Sequence, residues 1–297
     1  MSQELEKKNA GVTITELVAK SGRSGRQFFK SPDAQESVQP GADDAGSSQP
    51  SATGGGMVYI EDRLRENNML VQDSSLSPVF SDEYRRIKRP LLSNAFGKSS
   101  ALMEKGNLIL VTSSIPGEGK THTAINLALS IAHERDHTVL LVDCDVARHG
   151  ASTALGIVDK PGLVDILEDD DFSVGDAILR TDIPELCLIS SGKQHDFVTE
   201  LLASQKMSEL VAEIGARYED RVIIFDGPPL LPTPQTQVLT SLVGQVVFVV
   251  EAGSTPQSTV EEALNMIPEE QATGLVMNKS EGSGGRSGYY YGYYGDK

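Results

Sequence analysis

Six short apolar runs recur along the chain: Leu108–Thr112, Thr138–Val142, Leu186–Ser190, Val222–Phe225, Gln245–Val250 and Gly274–Met277. They are nearly continuous rather than alternating, which is the pattern of strands buried on both faces. Between several of them, His122–Glu134, Val198–Ile214 and Thr259–Met266 carry apolar residues at helical spacing. Strands alternating with helices predict an α/β fold with a mostly parallel sheet flanked by helices on both faces.

Outside this region the pattern fades. Ile14–Lys20 reads as a weak helix, followed by Lys20, Arg23, Arg26 and Lys30. That segment is either a frayed leader or a small docking element for a partner or an acidic membrane surface. Ser31–Gly56 is rich in Pro, Gly, Ser, Ala, Asp and Gln and almost free of large apolar side chains. Such a stretch cannot bury enough surface to offset its chain entropy, so a disordered linker is expected. The predicted organisation is therefore a leader and linker over residues 1–56, one domain over 57–281, and a flexible tail over 282–297.

Composition narrows the function classes. The chain has 297 residues, 42 acidic and 26 basic side chains, and a formal charge of -16. A surface so acidic disfavours general nucleic-acid binding, which relies on basic groups displacing counterions from phosphates. No apolar run approaches the ~18–20 residues that span a bilayer, and no charged-then-apolar signal sequence opens the chain. The two cysteines, Cys144 and Cys187, form neither a disulfide framework nor a metal-ligand spacing. Cys144 is expected to pack in the core. A cytoplasmic protein is the expectation.

The strongest chemical signal follows the first run: Ser114-Ile115-Pro116-Gly117-Glu118-Gly119-Lys120-Thr121. It matches the phosphate-binding P-loop pattern GxxxxGK[ST], with Ser114 in place of the first glycine. Gly117 and Gly119 let backbone N–H groups curl around phosphates, Lys120 supplies a point charge, and the Thr121 hydroxyl can bind Mg²⁺. Pro116, Gly117, Glu118, Gly119, Lys120, Thr121 and His122 are thus the candidate ATP-binding segment, at the positive end of the helix that follows. A dinucleotide fold is disfavoured, because His122 stands where its third glycine would be.

Two further runs end in carboxylates, giving Asp143-Cys144-Asp145 and Asp226-Gly227-Pro228-Pro229. In open parallel sheets ligands collect beyond the carboxyl ends of the strands. Asp226 fits a Walker B carboxylate acting on Mg²⁺ directly or through water. Asp143 and Asp145 are candidates to bind the metal and to orient or deprotonate an incoming hydroxyl. Thr121, Asp143 and Asp226 are the candidate metal ligands; Lys120, Asp143, Asp145 and Asp226 are the candidate catalytic set. Asn278, ending the last run, reads equally as a contact to the base or as a turn-forming residue.

These residues resemble the bacterial tyrosine kinases of polysaccharide export, and more narrowly the exosortase-associated tyrosine autokinases. Ser114–Thr121 is similar to their Walker A motif, Leu140–Asp145 to Walker A', and Val222–Asp226 to Walker B. Thr199–Ser204 and Asp226–Pro229 look like family sequence as well. Ala147-Arg148 departs from the pattern, which commonly has Arg at the position of Ala147. Glu83-x-x-Arg86-x-x-Arg89 is similar to the family's ring-forming ExxRxxR motif, its residues falling broadly on one side of a helix that Pro90 should kink or end. The resemblance implies a P-loop NTPase fold, ATP with Mg²⁺, and a homo-oligomeric ring. It also implies a membrane-embedded chain-length determinant (polysaccharide copolymerase) as activator, an opposing protein-tyrosine phosphatase, and peripheral association with the inner membrane through that activator.

Tyr289, Tyr290, Tyr291, Tyr293 and Tyr294 hold five of the eight tyrosines in a Gly/Ser setting that cannot form a core. The resemblance implies an autophosphorylation cluster there. A tail of ~16 residues stretches to about 50 Å, enough to reach a neighbouring subunit. A partition- or division-type ATPase is the nearest alternative, although Ile115 stands where that group carries an extra lysine. A non-catalytic nucleotide-binding scaffold of a polysaccharide machine is the other.

Overall fold

The computed structural model describes residues 13–18, 55–69, 78–97, 103–134, 136–195, 197–218, 220–233, 236–269 and 271–280. The tyrosine cluster and nearly all of the Ser31–Gly56 linker lie outside the described residues. The strands are β1 (Thr13–Val18), β2 (Met57–Val58), β3 (Leu108–Ser113), β4 (Thr138–Asp143), β5 (Leu179–Thr181), β6 (Leu186–Ile189), β7 (Arg221–Asp226), β8 (Gln245–Glu251) and β9 (Ala272–Asn278). The helices are α1 (Glu61–Glu66), α2 (Pro78–Phe96), α3 (Lys120–Ala132), α4 (Gly150–Leu155) and α5 (Leu163–Glu168). They continue with α6 (Val174–Ala177), α7 (Val198–Leu202), α8 (Gln205–Ala216), α9 (Thr236–Leu242) and α10 (Gln257–Leu264).

All nine strands share one sheet in the order β1-β9-β8-β3-β7-β4-β6-β5-β2. The six central strands, β9 to β6 in that order, run parallel, while β1 and β5 lie antiparallel to β9 and β6. Because successive side chains point to opposite faces, each buried strand feeds two cores. Ile109, Val111, Val139, Leu141, Ile224 and Val247 pack beneath α1–α4. Leu110, Leu140, Val142, Ile223, Phe225 and Phe248 pack against the helices from α5 onward. Cys144 is fully buried in the second of these cores.

Three expectations are corrected. The described part of Ile14–Lys20 is not helical: Thr13–Val18 forms a strand on the edge of β9, consistent with its β-branched Thr13, Ile14, Thr15 and Val18. The single helix expected over Val198–Ile214 is two, because the Ser204 hydroxyl accepts the Met207 N–H at 3.1 Å and restarts the chain as α8. Nor does α2 end at Pro90; it runs on to Phe96. Tyr84 and Ile87 before the proline and Leu91 after it are all buried in one core, so packing holds both halves despite the lost backbone bond.

Candidate active site

β3 lies inside the sheet between β8 and β7, and the chain leaves its carboxyl end through Ser114–Gly119 into α3. Gly117 and Gly119 have φ of 96° and 93°, a left-handed backbone that L side chains rarely adopt. A Cβ on Gly119 would also fall 1.9 Å from Asn278 Nδ2. Glycine is required there for two reasons. With Gly119 as the N-cap and no side-chain cap, α3 presents its first N–H groups to the loop interior.

The Glu118 side chain turns away from this interior. It is buried, and its carboxylate accepts the Ile115 N–H at 2.8 Å, the Thr255 hydroxyl at 2.6 Å and the Glu251 N–H at 3.3 Å. Asn278 Nδ2 donates to the Glu118 carbonyl at 2.9 Å, which places this side chain on the loop's backbone. His122 stands half-buried in the first turn of α3, and burial lowers its pKa.

Beside the loop, the ends of β4 and β7 bring the carboxylates together. Asp143 and Asp226 are direct cross-strand partners, and Asp226 also pairs in register with Val111 of β3. Lys120 reaches across, its Nζ 2.6 Å from Asp145 Oδ2, 3.6 Å from Asp226 Oδ1 and 3.3 Å from the Thr121 hydroxyl. All four of these charged groups are buried.

Their environments differ. Asp143 Oδ1 accepts the Asp145 N–H at 3.1 Å, and its Oδ2 accepts both the Ser152 N–H at 2.8 Å and the Ser152 hydroxyl at 2.7 Å. Burial still raises its pKa to about 6, against the opposing pull of Ser152. Neither oxygen of Asp226 makes a hydrogen bond of good geometry, and burial, only partly countered by the Lys120 charge and the nearby Thr121 hydroxyl, raises its pKa to about 7. For Lys120, burial would favour the neutral amine, but the charges of Asp226 and Asp145 outweigh it and hold the ammonium protonated.

A buried carboxylate with no well-formed hydrogen bond, ion-paired only at 3.6 Å and lying near the Thr121 hydroxyl, supplies hard oxygen donors that fit a small divalent cation sharing its coordination with phosphate oxygens. Glycine amides, a helix N-terminus and a buried ammonium fit the phosphates themselves. The structure thus gathers Lys120, Thr121, Asp143, Asp145 and Asp226 at one point. Glu83, Arg86 and Arg89 lie on α2, with both arginines exposed and Glu83 half-buried.

Sequence reasoning did not single out Ser152, Gly150 or Lys279. Ser152 lies nine residues beyond Asp143 and has no motif of its own. Gly150 matters because a Cβ there would meet Thr121 Oγ1 at 2.8 Å.

The AAA domain family pattern matches residues 106–278, which run from the approach to β3 through the end of β9. The chain is 31% identical over 219 residues to the tyrosine-protein kinase YwqD of Bacillus subtilis (strain 168), covering 73% of this chain and 87% of that protein. The chain belongs to the bacterial tyrosine-protein kinase family. This tyrosine kinase is also 31% identical over 192 residues to the putative tyrosine-protein kinase EpsB of Ralstonia nicotianae, where the match spans 64% of this chain and only 25% of EpsB. Among solved structures, the VpsO kinase domain is 28% identical with a TM-score of 0.53, covering 67% of this chain and 98% of that one. No helix among the described residues is long and apolar enough to cross a membrane.

Proposed function

We propose that this kinase is an autokinase that transfers the γ-phosphate of Mg-ATP to Tyr289, Tyr290, Tyr291, Tyr293 and Tyr294 of its own tail, between subunits of a ring. On this reading it regulates exopolysaccharide synthesis and export in an exosortase-associated system. A membrane-embedded chain-length determinant activates it, holding it at the membrane, and a protein-tyrosine phosphatase opposes it. The observation that carries the catalytic part is the buried Lys120 ammonium held among Asp145, Asp226 and Asp143 directly behind the phosphate loop.

In the proposed mechanism the loop amides and the start of α3 bind the phosphates, and Lys120 neutralises charge on the β- and γ-phosphoryl oxygens. Thr121 and Asp226, with Asp143, would hold Mg²⁺. The ion supplies charge neutralisation and alignment of the phosphate oxygens. As Lys120 turns to a phosphoryl oxygen, Asp145 loses its 2.6 Å partner and becomes able to accept a hydrogen bond from a phenol. Asp143 is the alternative acceptor. The phenolic oxygen bonds to the γ-phosphorus as the bond to the β–γ bridging oxygen breaks. The phenolic proton passes to the carboxylate, and ADP leaves. Most of the rate arises from positioning and fixed charge.

Glu83, Arg86 and Arg89 are proposed as the contact between subunits, supported by the exposure of both arginines on α2. The test is incubation of pure protein with Mg-ATP followed by phosphotyrosine detection, alongside Lys120→Met and a truncation after Gly288. Phosphotyrosine in the wild type alone is expected. Hydrolysis without phosphotyrosine would favour a partition-type ATPase, and neither activity, with the chain-length determinant also supplied, would favour a scaffold.

A further inference from the structure

The end of β9 grips the phosphate loop at two successive carbonyls. Lys279 Nζ donates to the Gly117 carbonyl at 2.6 Å, and Asn278 Nδ2 donates to the Glu118 carbonyl at 2.9 Å. Lys279 is itself aimed by Glu251 Oε2 at 3.3 Å, from the neighbouring end of β8, and stands at φ 54°. Asn278 is buried. Both donors are side chains on consecutive residues, more than 150 positions along the chain from their acceptors.

Peptide planarity converts those contacts into a direction. In a trans peptide the C=O and the N–H point opposite ways, and no cis peptide occurs among the described residues. Fixing the Gly117 carbonyl on Lys279 therefore aims the Glu118 N–H away from β9. Fixing the Glu118 carbonyl on Asn278 does the same for the Gly119 N–H. Neither of these two N–H groups has a partner among the described residues, and both belong to the loop whose amides cradle phosphate. Free rotation of either peptide, easy where Gly117 and Gly119 flank it, would turn a carbonyl toward the phosphates and repel them.

We infer that Asn278 and Lys279 are positioning residues that orient the Glu118 and Gly119 amides for the phosphates of a nucleoside di- or triphosphate. This rests on the nucleotide-binding reading of the same loop. It assigns Asn278 to the loop backbone, and Lys279 to a role outside the P-loop motif.

The experiment is titration of a fluorescent ADP analogue with Mg²⁺ onto the full chain, for wild type, Lys279→Met, Lys279→Arg and Asn278→Ala, with ATP-dependent autophosphorylation followed in parallel. Lys279→Met and Asn278→Ala should each weaken analogue binding by about 3- to 10-fold, the loss of one hydrogen bond. KM for ATP should rise in step, while kcat at saturating ATP stays within about twofold. Lys279→Arg should restore most of the loss, which a general structural defect would not allow. The exposed Lys279 side chain makes its variants independent of any folding cost at Asn278. Unchanged analogue binding in Lys279→Met and Asn278→Ala overturns the inference alone. Absence of binding by the wild type overturns the nucleotide reading and the inference with it. Binding without wild-type phosphotyrosine, with the chain-length determinant also supplied, overturns the autokinase proposal alone, and the analogue-binding losses still decide this one.

Discussion

Replacing Asp226 by Asn should make the protein more stable while destroying its activity. Asp226 is completely buried with no hydrogen bond of good geometry, and its pKa rises from 3.8 to about 7. The sign follows from which state holds the proton more tightly. Below about pH 4 the carboxyl is protonated in folded and unfolded chains alike, and no penalty exists. Between about pH 4 and 7 the unfolded chain releases the proton while the folded one keeps it, so stability is lost as pH rises through that window. At about 1.4 kcal/mol per pH unit, the gap amounts to roughly 4 kcal/mol above pH 7. Asn removes that penalty but buries an unpaired amide and takes one carboxylate from Lys120, whose closer partner Asp145 remains at 2.6 Å. A net gain of about 1–3 kcal/mol is expected, and each kcal/mol moves the melting temperature of a domain this size by about 2–4 °C. Thermal or urea unfolding of both proteins at pH 8 and pH 5 measures it: the advantage should be large at pH 8 and smaller at pH 5. An Asp226→Asn protein no more stable than wild type at pH 8, or an advantage independent of pH, would refute the argument.

Other outcomes follow from neighbouring contacts. Lys120→Met should lower the proposed tail phosphorylation by at least about 100-fold, measured by phosphotyrosine blotting against time, because it removes the buried cation held beside the phosphate loop. Ser152→Ala deletes the hydroxyl that Asp143 accepts at 2.7 Å; about 1–3 kcal/mol should be lost from the unfolding free energy, with a fall in kcat. Gly150→Ala crowds Thr121 Oγ1 and should raise the Mg²⁺ concentration needed for half-maximal activity. Phe248→Ala, at a fully buried position of β8, should cost about 3–5 kcal/mol in urea unfolding.

Much of this arrangement is legible in the sequence, because its signals are local. A strand buried on both faces announces itself as a continuous apolar run, as β3, β4, β7 and β8 do, and the P-loop is a contiguous string tied to one strand–loop–helix unit. The failures are physical rather than accidental. Thr13–Val18 is a strand because β9 offers it an edge, which its own mixed pattern does not reveal. The short β2 and β5 exist through pairing; runs of two or three residues carry no period. Ser204 was a legible cap, a serine directly before the Gln205 that opens α8, lost inside a longer apolar spacing. Lys279 acts on a carbonyl 162 positions away, and the Glu118 carboxylate reaches Thr255 as well as its near neighbour Ile115; Ser152, nine residues past Asp143, belongs to no recognisable motif.

The two outermost strands also set a limit on trimming. β1 and β2 follow one another in the chain yet lie at opposite edges of the nine-stranded sheet, about 38 Å apart at ~4.8 Å per strand. A kinase cut to begin at residue 57 would keep every side chain of the candidate active site. It would also strip β1 from β9 and leave a row of backbone donors and acceptors open, the kind of edge on which chains pair with one another. Such a core should associate with rising concentration on size-exclusion chromatography, where the full chain does so less. Oligomers measured on that truncated core would then report a cut edge as much as the native assembly.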